Sequence, residues 1–130
     1  MRISMRLSIP AAIAVIALCS VAAYAQTAPA TTASTTKGKA LVDAKGMTLY
    51  VFDRDTAGTS NCTGQCVANW PPLAPAADAK PSGQWTIIAR SEGGKQWAYK
   101  GMPLYTFKKD AKPGDVSGDG VNSVWHIAAP

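Results

Sequence analysis

One stretch of this chain is written twice. Residues 45–55 read Lys-Gly-Met-Thr-Leu-Tyr-Val-Phe-Asp-Arg-Asp and residues 100–110 read Lys-Gly-Met-Pro-Leu-Tyr-Thr-Phe-Lys-Lys-Asp, with seven of eleven positions identical at an offset of 55. The register continues past the block, since Trp70 follows Tyr50 by twenty residues and Trp125 follows Tyr105 by twenty. Self-similarity at a fixed offset marks a duplicated structural unit. The chain must therefore fold as two related parts, each carrying the pattern Tyr-x-Phe-x-x-Asp…Trp.

The duplication occupies only the later part of the 130 residues. Residues 1–25 have the layout of an export signal: Arg2 and Arg6, an apolar run from Ile9 to Leu18, then Ala23-Tyr24-Ala25. Cleavage is expected between Ala25 and Gln26. The apolar run is well short of the ~20 residues a spanning helix needs. Cys19 could be a lipid-attachment site, but Leu18 stands where a small residue is wanted, so a membrane association is expected only if Cys19 is lipidated. Residues 26–37 are rich in Ala, Thr and Pro, cannot bury enough apolar surface to offset ordering entropy, and read as a flexible tether.

Loss of the signal leaves eleven basic and eight acidic residues, a net charge of +3 against +5 for the whole chain. No basic block tracks a phosphate backbone, so nucleic acid is not an expected partner. From residue 38 onward the sequence predicts an all-β class: one small domain of two pseudo-repeats, each a β-hairpin followed by a long loop. Repeat 1 is placed at about 38–73, a linker with one strand at 74–94, and repeat 2 at about 95–130. In each returning strand the two-residue period puts Tyr50 and Phe52, or Tyr105 and Phe107, on one face. Met47, Leu49 and Val51 take the other. Asp55 and Asp110 fall just past the strands, where a carboxylate closes a turn by accepting backbone N–H groups two residues on. Trp70, before two prolines, and Trp125, on a last strand at 121–127, are expected to cap the core. The motif residues are thus read as architectural.

Cys62 and Cys66 are the cysteines left after export, and an exported pair is expected to form a structural disulfide. A redox dithiol and a metal site are the alternatives. The former normally has two intervening residues and a helix start or cation to acidify the thiol, neither evident here. His126 is the sole histidine, and a copper site built from it with Met47 and Met102 is conceivable on ligand softness. Asp115 to Gly120 superficially resembles half a calcium loop, but His126 stands where a bidentate Glu belongs. No cofactor is expected, and no nucleophile motif or phosphate loop points to an enzyme.

Taken together, Tyr50-x-Phe52-x-x-Asp55, Cys62…Cys66…Trp70-Pro71-Pro72-Leu73, Tyr105-x-Phe107-x-x-Asp110 and Val124-Trp125-His126 resemble the bacterial predicted lipoproteins with a Tyr-x-(Phe/Trp/Tyr)-x-x-Asp motif, the secreted repeat of unknown function. That resemblance implies an exported, β-rich protein of the cell envelope. The expected activity is a non-enzymatic binding or structural module, periplasmic or secreted, whose partner is an envelope protein or a small ligand. A copper or electron-transfer accessory protein and a thiol-disulfide redox protein are the alternatives.

Overall fold

A computed structural model describes residues 28–130. The expected export signal, its expected Ala25–Gln26 cleavage point and Cys19 lie outside the described residues. The elements in chain order are β1 (Thr31–Thr35), β2 (Gly38–Val42), β3 (Tyr50–Phe52), the short helix α1 (Gln65–Asn69), β4 (Trp85–Ala89), β5 (Lys95–Tyr99), β6 (Met102–Pro103), a single 3-10 turn (Val121–Ser123) and β7 (Trp125–Ile127). The domain is mostly strand with little helix.

Two assignments from sequence need correction. The segment read as a tether contains β1, which pairs antiparallel with β2 from Thr31↔Val42 to Thr35↔Gly38. Three β-branched threonines favour the extended backbone, and pairing with β2 satisfies it although most of its side chains face water. The last strand is shorter than 121–127. Gly120, Asn122 and Ser123 take left-handed backbone at φ 83°, 50° and 58°, so only Trp125–Ile127 is extended.

The strand read as linker, β4, is the counterpart of β1. It pairs with β5 as β1 pairs with β2, and β5 continues to β6, giving the order β4-β5-β6. The β5–β6 turn is Lys100-Gly101, both left-handed at φ 51° and 84°, as a two-residue hairpin of this kind requires. In the first copy the bend is longer. Asp43 Oδ1 accepts the N–H groups of Lys45 and Met47, each at 2.9 Å, and pairing resumes at Val42↔Thr48.

The copies do not sit side by side. Returning strand β3 of the first copy pairs with β7 of the second, in register Tyr50↔Ile127, Val51↔His126 and Phe52↔Trp125. The returning segment of the second copy pairs with the Trp-Pro-Pro-Leu end of the first, Thr106 N–H donating to Pro71 O at 2.9 Å and Leu73 N–H to Leu104 O at 2.9 Å. At the centre Tyr50 and Tyr105 exchange both backbone hydrogen bonds, at 2.8 and 3.0 Å. Even the three-way junctions match. Leu49 N–H bonds Leu41, Ala128 N–H bonds Leu49 and Leu41 N–H bonds Ala128; the same triangle recurs among Leu104, Trp97 and Leu73. The molecule is an interlocked pair with an approximate two-fold axis between Tyr50 and Tyr105.

Alternation along the crossing strands makes two cores. One holds Tyr50, Phe52, Cys62, Trp70, Tyr105, Phe107 and Trp125. The other holds Leu41, Leu49, Leu104, Ala30 and Ala128, with Val51, Leu73, Trp85 and Tyr99 packed against it. The predicted faces of β3 are therefore those observed, except that Met47 lies in the bend and not in the second core.

Candidate functional site

The repeated motif converges on the axis. Tyr50 hydroxyl donates to Asp110 Oδ2 at 2.5 Å, and Tyr105 hydroxyl donates to Asp55 Oδ2 at 2.6 Å. Each phenol thus bonds the aspartate of the other copy. The second oxygen of each aspartate pins its own loop: Asp55 Oδ1 accepts Asn61 N–H at 2.6 Å and Asp110 Oδ1 accepts Ser117 N–H at 3.0 Å. Those donors lie six and seven residues on, not two. The carboxylates organise whole loops because the phenol of the partner copy, unforeseen from local sequence, fixes them from the opposite side.

Between the two Tyr–Asp pairs runs a column of four rings. Phe52 stacks on Trp125 with centroids 4.3 Å apart, Trp125 on Trp70 at 3.7 Å and 3°, and Trp70 on Phe107 at 4.0 Å. Members alternate between copies. Tyr50 meets Trp70 edge-on at 5.4 Å and Tyr105 meets Trp125 edge-on at 5.1 Å, the arrangement that brings the positive ring edge to the negative face. Both tyrosines are fully buried.

The axis relates the backbones better than the polar shells. Tyr50 hydroxyl accepts Gly118 N–H at 3.2 Å. Tyr105 hydroxyl instead lies 2.6 Å from Ser60 Oγ, which accepts from Arg90 Nη1 at 2.9 Å. With Ser60 donating onward, a chain runs from the Arg90 guanidinium through two hydroxyls to the Asp55 carboxylate. Arg90 also donates to Gln96 Oε1 at 2.6 Å and Cys62 O at 2.7 Å, and buried Gln96 donates to Leu104 O. Burial pushes the Asp55 carboxyl above its usual range, although bonds from Tyr105 and Asn61 and the charge of Arg90 pull the other way. Both phenols are pushed well above theirs, first by burial and then by the aspartate each one bonds.

Arg90, Ser60, Gln96 and Gly118 were not singled out in the sequence. Gln96 had a signal, a polar residue at an inward position of an alternating strand. Gly118 had none: a Cβ there would lie 2.8 Å from the Trp70 ring and 2.9 Å from the Tyr50 ring, a restriction set by residues far away in the chain.

The other predicted residues are dispersed. Cys62 and Cys66 form a disulfide with Cα atoms 5.2 Å apart, joining the loop under Asp55 to α1. Cys66 is the second residue of α1, so a helix start is present where none was expected. His126 Nε2 lies 2.7 Å from Asp53 Oδ2 on the face of β3 and β7 opposite the ring column, both side chains about half exposed. Met47 sits in the Asp43 bend and Met102 pairs with Tyr99 beside the Lys100-Gly101 turn, so neither joins the His126–Asp53 pair. Among the described residues no three His, Cys, Asp or Glu side chains group as a metal site would require. The Asp115 loop uses its carboxylates on backbone, Asp115 accepting Ala111 N–H and Lys112 N–H, Asp119 accepting Ile127 N–H. An open cleft of about 210 Å³ is lined by Pro29, Asp43, Lys45, Leu73 and Trp97 among others.

Fold and site together define a duplicated, disulfide-clipped β domain whose motif residues lock one copy to the other. The chain belongs to the family described as the secreted repeat of unknown function, whose model matches residues 31–74 and 86–129. The two matches are themselves offset by 55 residues, and the second opens within β4 as the first opens on β1. No curated protein and no solved structure matches the chain. Among the described residues no helix is long and apolar enough to cross a membrane.

Proposed function

We propose that this exported protein is a non-enzymatic binding or structural module, periplasmic or secreted, presenting an envelope protein or small ligand with a rigid surface. One observation carries the reading. The polar atoms of the repeated motif point inward and are consumed by each other and by backbone, Tyr50 with Asp110 and Tyr105 with Asp55, so what the duplication repeats is a lock. The disulfide serves the same purpose, holding the loop whose Asn61 N–H binds Asp55.

A photo-crosslinking residue placed at exposed Lys95 or Lys108, or at half-exposed His126, in the exported chain tests this in cells. A discrete adduct from at least one position is expected, and the same adduct from the Cys62→Ser/Cys66→Ser double variant at a temperature where it remains folded. Unreacted monomer at all three positions overturns the binding reading. An adduct that needs the two sulfurs overturns the purely structural assignment of the cysteines.

A further inference from the structure

The ring column has a chemistry that its packing role does not use. Six aromatic side chains are in continuous edge or face contact from Tyr50 through Trp70 and Trp125 to Tyr105, with Phe52 and Phe107 closing the ends. All are between 0% and 8% exposed. At each end of the indole pair stands a phenol already hydrogen-bonded to a carboxylate. We propose that this column is a one-electron site, in which an oxidising equivalent entering the Trp70–Trp125 pair comes to rest as a neutral phenoxyl radical on Tyr50, its proton held by Asp110.

The electrostatics favour that resting place. Removing an electron from an indole leaves a radical cation, and a new charge is costly in a low-dielectric interior. Removing it from a phenol that passes its proton to a carboxylate creates no charge and discharges an anion. The 2.5 Å bond between Tyr50 hydroxyl and Asp110 Oδ2 is the short, charge-assisted kind along which a proton moves with little rearrangement. Burial holds the Tyr50 phenol well above its usual range, so a free phenolate is not the path and proton and electron leave together.

In the step itself the Tyr50 O–H bond breaks, an O–H bond forms on Asp110, and one electron passes through Trp70 to an outer-sphere one-electron oxidant at the surface, such as an organic peroxyl radical, which becomes its anion. The reverse step with a one-electron donor restores the pair. Tyr105 is the poorer terminus. Its hydroxyl is tied through Ser60 to Arg90, and protonating Asp55 would strip that guanidinium of the anion it faces. Tyr50 has only the Gly118 N–H as its second partner.

Photogenerated tris(bipyridine)ruthenium(III) is the probe, applied to the full chain with Tyr24 and Tyr99 changed to Phe so that Tyr50 and Tyr105 are the phenols left. Transient absorption and freeze-quench electron paramagnetic resonance distinguish phenoxyl from indole radicals. The expected result is an indole radical decaying into a phenoxyl radical, more slowly in D2O. Tyr50→Phe should abolish the phenoxyl signal and lengthen the indole radical lifetime several-fold, while Tyr105→Phe keeps both as they were. Asp110→Asn, which keeps the shape but not the base, should lower the phenoxyl yield and remove the D2O effect. A phenoxyl yield unchanged by Tyr50→Phe, in protein with its aromatic circular dichroism intact, overturns the proposal. If Tyr50→Phe fails to fold, an Asp110→Asn chain with wild-type yield and D2O effect overturns it equally.

Discussion

Removing the hydroxyl of Tyr105 deprives Asp55 Oδ2 of its 2.6 Å donor and leaves Ser60 facing a bare ring edge. A buried acceptor left unmatched costs about 1–3 kcal/mol, so Tyr105→Phe should lower unfolding stability by roughly that amount in urea titration with an unchanged m-value. Gly118→Ala makes a different demand. Its methyl would overlap the Trp70 and Tyr50 rings, and overpacking of this kind costs about 1–3 kcal/mol, whereas Gly58→Ala meets only open space and tests backbone strain alone. The pH dependence follows from Asp55. Its folded carboxyl is raised, so the native state holds the proton more tightly than the unfolded chain. The stability this residue contributes is present in full below the ordinary carboxylate value and is lost as pH rises through the folded value. In Asp55→Asn, which mimics the protonated form, the melting temperature relative to wild type should rise from pH 4 to pH 7; a constant gap would show the carboxyl unperturbed. At this scale the sequence was half legible. Twofold repetition of Tyr and Asp announced that they matter, but nothing local says that Tyr50 binds Asp110, because partners 60 residues apart meet only through the crossing of the copies.

Among elements, β1 shows how composition misleads. Residues 31–35 contain no aromatic or large aliphatic side chain, which argued for a tether, yet their β-branched threonines suit a strand that needs only a partner's backbone. Its exposed face should make it the least protected strand. In hydrogen exchange the amides of β1 are expected to exchange before those of β3, whose pairing with β7 lies over the ring column. Equal protection would mean that β1 opens only with the whole domain. The hairpin β5–β6 was readable from Lys100-Gly101, whereas the same dipeptide at Lys45-Gly46 sits in a longer bend in which Asp43 accepts the Lys45 and Met47 N–H groups. The pairing of β3 with β7 was not, since strand partners are chosen by the long-range fit of the cores. The Cys62–Cys66 link closes a loop so short that chain entropy assigns it only ~2 kcal/mol. Reduction should therefore lower stability by about that much and leave the aromatic circular dichroism intact under native conditions.

The whole molecule folds as one because its copies exchange their Trp-bearing ends. A side-by-side duplication would leave each half with its own core; here Phe52 of the first copy lies on Trp125 of the second and Phe107 of the second on Trp70 of the first. Each copy alone lacks the strand that pairs with its returning segment, the carboxylate that binds its tyrosine and half of its ring column. Fragments 28–78 and 79–130 should accordingly be unfolded when produced separately. Trp70 and Trp125, stacked at 3.7 Å and 3°, supply the readout, since two indoles this close couple their transitions and give a circular dichroism signal that neither gives alone. That signal is expected in the intact chain, absent from each fragment, and restored on mixing if the crossed pairing forms between separate chains as it does within one. A fragment that unfolds cooperatively by itself would mean that the crossing is a late adornment on two self-sufficient halves. Its absence would make the duplication obligatory, each copy existing as structure only in the company of the other.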